Sequence, residues 1–136
     1  MPLRTMLVVA YAFAALGCKS STSSTSVRLD FSFPLAVSGS ATVDGQSLQV
    51  GFDSVVSDSR CPTGAVCIDA GEGVVRVWLS KAPLARENRD LKTTAAASEA
   101  VYGSYRIKLV ALDPYPVVGQ SIAGASYVAT LRITQP

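Results

Sequence analysis

Polar and apolar residues alternate along most of this chain with a period of two, the pattern of strands that bury one face. Val27-Arg28-Leu29-Asp30-Phe31-Ser32-Phe33 alternates strictly, with Val27, Leu29, Phe31 and Phe33 on one side. It predicts one strand that ends or bends at Pro34. Residues 35–43 predict a second, weaker strand, and Asp44-Gly45 a turn. Within residues 46–56, Leu48, Val50 and Phe52 share a face, and Val55-Val56 breaks the period, which predicts a bulge near Ser54. Residues 74–80 predict a strand with Val75, Val77 and Leu79 inward and Val74, Arg76 and Trp78 outward. The charged stretch 81–91 reads as a solvated loop with at most one helical turn, and 92–98 as a short edge strand. Residues 102–112 predict a long strand with Tyr105, Ile107, Leu109 and Ala111 inward, stopped by Asp113-Pro114-Tyr115-Pro116. Residues 126–134 predict a closing strand with Tyr127, Ala129, Leu131 and Ile133 inward. Six or seven short strands without a long helical pattern predict an all-β fold. An antiparallel β-sandwich, immunoglobulin-like in the broad sense, is expected, with a small β-barrel as the alternative.

The pattern changes at the start of the chain. Residues 6–16 (MLVVAYAFAAL) form an unbroken apolar run behind a short n-region with Arg4. The run is short for a bilayer span and right for the h-region of a signal peptide. Ala15-Leu16-Gly17-Cys18 then resembles the lipobox of bacterial lipoproteins, with Ala15 where leucine is usual. The resemblance implies cleavage before Cys18 and a diacylglyceryl group on its thiol, with palmitate among the acyl chains. Lys19 takes the place of the inner-membrane retention aspartate, which by the same resemblance implies the outer membrane. The alternative is an ordinary secretory signal cut after Ala12 or Ala14, leaving Cys18 as a free thiol on a secreted protein. Ser20 to Ser26 is only serine and threonine, which cannot bury apolar area and reads as a tether. The expected plan is therefore signal peptide 1–17, lipidated Cys18 and tether 18–26, and a β-domain 27–136. No second apolar segment is long enough to span a membrane.

Composition narrows the chemistry. The 136 residues contain no histidine, which excludes Ser-His-Asp and Cys-His catalysis, imidazole metal sites and histidine pH switches. The net charge is +2, and +1 once Arg4 leaves with the leader (11 basic against 10 acidic side chains). The basic residues are scattered among acids, which is no nucleic-acid signature.

Candidate chemistry concentrates in residues 58–73 (DSRCPTGAVCIDAGEG). In an exported protein Cys61 and Cys67 are expected to form a disulfide. Closing so small a loop is worth about 2 kcal/mol and stiffens it, with Pro62 adding rigidity and Gly64 allowing the turn. Five intervening residues in a β-context do not suit thiol–disulfide exchange. Asp58, Asp69 and Glu72 are the clustered carboxylates. They are the only clustered candidates for calcium coordination or glycosidic hydrolysis, and their spacing is not that of an EF-hand. The simpler reading is that Asp58 caps the loop and pairs with Arg60 or another arginine. No cofactor and no metal is expected, and no enzymatic activity.

Asp58-Ser59-Arg60-Cys61-Pro62, Cys67 and Ala70-Gly71 together resemble a segment, D-S-R-C-P-x(4)-C-x-x-A-G, of small, poorly characterised bacterial lipoproteins and secreted β-domain proteins. The resemblance runs from about Gln46 to Leu79, with Asp69 where tryptophan is frequent. It implies a β-rich domain in the cell envelope and no particular activity. The expected function is a non-enzymatic binding or scaffolding module, held to the membrane by lipid at Cys18 and meeting an envelope protein. Asp58, Arg60, Asp69, Glu72 and Trp78 are the candidate binding residues. A protease-inhibitor-like protein is the alternative. Trp78 either anchors a partner or is covered by a neighbouring loop or arginine stem.

Overall fold

The computed structural model describes residues 25–136. Nine strands form: β1 Thr25–Val27, β2 Ser32–Ala36, β3 Ser40–Val43, β4 Leu48–Asp58, β5 Gly73–Ser80, β6 Glu87–Lys92, β7 Glu99–Tyr102, β8 Tyr105–Asp113 and β9 Val128–Thr134. Single 3-10 turns lie at Ala95–Ala97 and Gly124–Ser126. One sheet has the order β1-β3-β4-β5-β6 and the other β2-β9-β8-β7. All pairings are antiparallel except β1 with β3. The two sheets pack face to face and do not close into a barrel, giving the β-sandwich. The expected signal peptide, Cys18 and tether residues 20–24 lie outside the described residues; β1 takes up Thr25 and Ser26.

The alternating positions build the core. Leu48, Val50 and Phe52 of β4 meet Val75, Val77 and Leu79 of β5, all fully buried. From the other sheet come Phe33, Leu35, Ile107, Leu109, Leu112, Tyr127, Ala129, Leu131 and Ile133. β4 carries register shifts at Phe52/Ser54 and Val55/Ser57, so the broken period there is a doubly bulged strand.

Five expected elements are corrected. Residues 35–43 are not one strand: 35–36 end β2 and 40–43 form β3 in the other sheet, with a left-handed Ser38 (φ 64°) between them. Residues 27–33 are two strands in different sheets, because the backbone turns left-handed at Asp30 (φ 66°) and crosses the sandwich. Phe31 is left outside, with the Arg28 guanidinium 5.9 Å from its ring. Pro34 does not end β2; it sits inside it, opposite Thr130, because β2 is an edge strand with a neighbour on only one side. The charged stretch 81–91 contributes β6, an edge strand that buries only Leu91 and directs its charges outward, Asp90 onto Arg76. Residues 92–98 are a turn and not an edge strand. Residues 102–112 are the end of β7, a turn at Gly103-Ser104, and β8. A bulge at Val110 shifts the phase of β8, so Leu112 and not Ala111 enters the core.

The strand directions define two ends. The 59–72 segment, linking β4 to β5, and the 114–127 segment, linking β8 to β9, lie together at one end, which we call the loop end. The turns at 28–31, 44–47, 81–86 and 103–104 lie at the other.

Candidate functional site

β4 and β5 prolong their pairing past the strand ends. Ser59 N–H donates to the Glu72 carbonyl (2.9 Å) and Cys61 N–H to that of Ala70 (2.8 Å). Ser59 Oγ also accepts from the Glu72 amide at 3.1 Å. This places Gly71 (φ 66°) so close to its neighbour that an added Cβ would lie 1.8 Å from the Ser59 carbonyl oxygen. Only glycine fits there.

Between these rungs Arg60 turns inward. Its Nε and Nη2 donate to the two carboxylate oxygens of Asp58 at 2.8 and 2.7 Å. Nη1 donates to the Leu112 carbonyl (2.7 Å) and Nη2 also to that of Pro114 (3.0 Å). The Tyr115 ring stacks 4.9 Å from the guanidinium. Tyr127 Oη donates to Asp58 Oδ2 at 2.9 Å. The side chains of Arg60 and Asp58 are only 6% and 8% exposed, so this network seals the loop end and ties the end of β4 to β8 and β9. The forked bond from Arg60 holds the Asp58 carboxyl below the usual carboxylate range, with the Tyr127 hydroxyl helping. Burial and the neighbouring carboxylate push the Tyr127 phenol up.

The other candidate residues are dispersed. The Glu72 carboxylate pairs with Lys92 Nζ (2.6 Å) and accepts from Thr94 Oγ1 (3.2 Å), pinning the loop base to the end of β6. The same lysine lowers its pKa. Asp69 is exposed beyond the disulfide. Asp58 faces the interior, so the three carboxylates do not converge. Among the described residues no group of three cysteine or carboxylate side chains could hold a metal. Trp78 lies on the outer face of the five-stranded sheet, away from the loop end. Its ring covers Gly51, where a Cβ would come within 2.1 Å, and the Arg86 guanidinium stacks 4.0 Å from it. It is covered by an arginine, one of the two readings its sequence position allowed.

Cys61 and Cys67 are joined, with Cα atoms 5.9 Å apart. The loop they close docks on the β8–β9 connection. Thr63 N–H donates to the Pro116 carbonyl (2.9 Å) and the Val118 amide to that of Thr63 (3.1 Å). The loop is thus fixed by the disulfide, by this bridge and by the rungs beneath it. Its tip projects Val66 and Ile68 fully into solvent, and Tyr115, Val117 and Val118 are exposed on the connection beside it. None of these apolar residues is among the candidates that the charges of the sequence single out. Their signal was two aliphatic residues flanking Cys67 in a segment that has no other strand-like partner.

Beneath the tip is an open cleft of about 450 Å³. Gly71, Thr93, Thr94 and the bulged end of β8 line it, with the occupied Arg60 at its inner wall. Asp113 and Tyr115 also line it, and Arg60 is engaged by Asp58 and by the Leu112 and Pro114 carbonyls. Comparisons with family models, with curated proteins and with solved structures found no match to this chain.

Proposed function

We propose that this protein is an exported, lipid-tethered module of the bacterial cell envelope that binds or scaffolds without catalysis, with the loop end as its contact surface. One observation carries the reading. Asp58, Arg60 and Glu72 at the loop end are spent on holding the frame, and the loop presents outward a braced aliphatic tip, Val66 and Ile68, beside the exposed Asp69. A rigid exposed apolar surface marks contact with a partner, because its burial is favourable and little entropy is lost on ordering it. The apolar run 6–16 and Ala15-Leu16-Gly17-Cys18 support export and lipidation at Cys18, and Lys19 supports the outer membrane.

The tether is tested by the intact mass of protein purified from membranes, with and without reduction and alkylation. A chain starting at Cys18 with a diacylglyceryl group, and no free thiol before reduction, is expected. A soluble chain starting near Phe13 or Ala15, with Cys18 open to alkylation, overturns it. The contact surface is tested by Val66→Ser with Ile68→Ser. Retention of the domain on envelope material should fall while the urea midpoint stays unchanged.

The projecting disulfide-closed loop also favours a second reading, insertion into a protease active site. Inhibition of a protease panel at micromolar protein, lost in the same double variant, discriminates it.

A further inference from the structure

The outer faces of the two sheets hold their charges differently. On the five-stranded sheet Arg76 and Asp90 are cross-strand partners joined by two 2.8 Å hydrogen bonds, and Arg86 stacks on Trp78. On the four-stranded sheet Ile107, Leu109, Leu131 and Ile133 face the core, which turns Arg106, Lys108 and Arg132 outward, all three exposed. Lys108 and Arg132 are direct partners across β8 and β9. Their Cβ atoms are therefore about 5 Å apart, and like charges placed directly opposite cost stability. Arg106 lies two positions from Lys108 along β8, about 7 Å away.

One carboxylate serves this group. Glu99, opposite Lys108 on β7, reaches Lys108 Nζ at 3.4 Å and Arg106 Nε at 3.7 Å. Both distances exceed the about 2.8 Å of a charge-assisted hydrogen bond. Arg132 makes no ion pair among the described residues. Asp30, in the turn before β2, and Asp113, at the end of β8, make none with these cations. Residues 25–136 carry ten basic and ten acidic side chains, the 12 basic residues of the chain less Arg4 and Lys19. The excess of cations on this face is thus local and not a share of a basic domain. Ser32, directly opposite Arg132 on β2, adds an exposed hydroxyl to the same row.

We propose that Arg106, Lys108 and Arg132 form a binding site for a phosphate group, free or carried on a larger molecule. A phosphate offers several strong acceptor oxygens on one centre, so it takes the Lys108 ammonium and the Arg132 guanidinium together and turns their repulsion into a shared attraction. The planar N–H pairs of the two arginines match adjacent phosphate oxygens, and the Ser32 hydroxyl donates from the Arg132 side. Glu99 is the competitor, because its carboxylate holds Lys108 and Arg106 loosely and repels the ligand. This face is separate from the loop tip, so the site stands or falls independently of the contact proposed there.

The test titrates the full chain purified from membranes with sodium phosphate at neutral pH, the ionic strength held constant with sodium chloride. Amide and arginine Nε resonances report binding. Saturating shifts at Arg106, Lys108 and Arg132 are expected, with Arg76 and Arg86 on the opposite sheet unmoved. Arg132→Gln and Lys108→Gln should each weaken binding roughly fivefold. Glu99→Gln should tighten it about threefold by removing the competitor. These side chains are exposed, so the fold is not at stake. Shifts that do not saturate, equal shifts at Arg76 and Arg86, unchanged affinity in Arg132→Gln, or a Glu99→Gln chain that binds no tighter each overturn the site. Acetylation of Lys108, read by mass spectrometry with vesicles of phosphatidylglycerol or of phosphatidylcholine added, identifies the source. Protection by phosphatidylglycerol alone assigns the phosphate to a lipid headgroup. Equal labelling with both, and protection by inorganic phosphate, assigns it to a soluble phosphate. Labelling that none of the three changes overturns the site.

Discussion

The phenol of Tyr127 donates a 2.9 Å hydrogen bond to Asp58 across the end of the sandwich, joining the start of β9 in one sheet to the end of β4 in the other. Asp58 is at the same time gripped by the fork of Arg60, which holds the carboxyl end of β8 through the Leu112 and Pro114 carbonyls. A single guanidinium thus takes the place of a strand where β8 runs on past β7.

Removing that guanidinium should be costly. Arg60→Ala leaves the buried Asp58 carboxylate with Tyr127 but without its fork, and the buried Leu112 carbonyl without its side-chain donor, and a loss of about 3–5 kcal/mol is expected from urea denaturation. Arg60→Lys keeps the charge but cannot make the fork, so it should recover only part of the loss. A cost near zero for Arg60→Ala would remove the network from the account of the fold.

The network also sets a pH dependence. The Asp58 pKa is lowered in the fold, so its contribution is fully present above the ordinary carboxylate pKa of about 4 and is lost as pH falls through the lower native value. Asp90, paired with Arg76, has the same direction. The Tyr127 pKa is raised, so its contribution is present below about pH 10 and is lost as pH rises through the native value. Urea midpoints across the acid range should fall less steeply for Asp58→Asn than for the parent. Equal slopes would assign the acid limb to other groups.

Gly71 and Gly45 both have positive φ, but only Gly71 is crowded. Gly45→Ala should cost about 1 kcal/mol, the backbone penalty alone. Gly71→Ala should cost more, because the Ser59 carbonyl must move and the rung to Glu72 must open. Amide exchange at Ser59 and Cys61 reports the opening; protected amides in Gly71→Ala would contradict it.

Trp78 and Gly51 make a local fluorescence reporter. Gly51→Ala places a methyl where the indole lies, so the ring must lift off the sheet. A red-shifted Trp78 emission is expected. Arg86→Ala should shift it less, since the ring keeps its seat on Gly51. An unshifted spectrum in Gly51→Ala would mean that the ring rests elsewhere.

The strands that were legible are those whose alternation is backed by pairing on both sides, β4, β5 and β9. The misreadings fall where a single backbone angle or a sheet edge overrides the pattern. Alternation through 27–33 is unbroken in sequence, yet a left-handed Asp30 sends its two halves to opposite sheets. β6 reads as a loop because an edge strand buries few side chains, here only Leu91. The site divides in the same way. Two cysteines six positions apart in a chain whose sequence reads as exported implied their bridge, and Asp58 beside Arg60 implied a pair. That this pair faces inward, with Val66 and Ile68 outward, depends on carbonyls of residues 112 and 114, more than fifty positions away.

By itself the sequence determined the all-β class, the disulfide and the inward faces of the central strands, since period-two polarity and the chemistry of paired cysteines act locally. The tertiary structure alone decided which residues belong to which sheet, that Arg60 caps β8, and that the loop presents an aliphatic tip. Those outcomes follow from hydrogen bonds and close approaches between segments far apart in the chain, which local pattern does not encode.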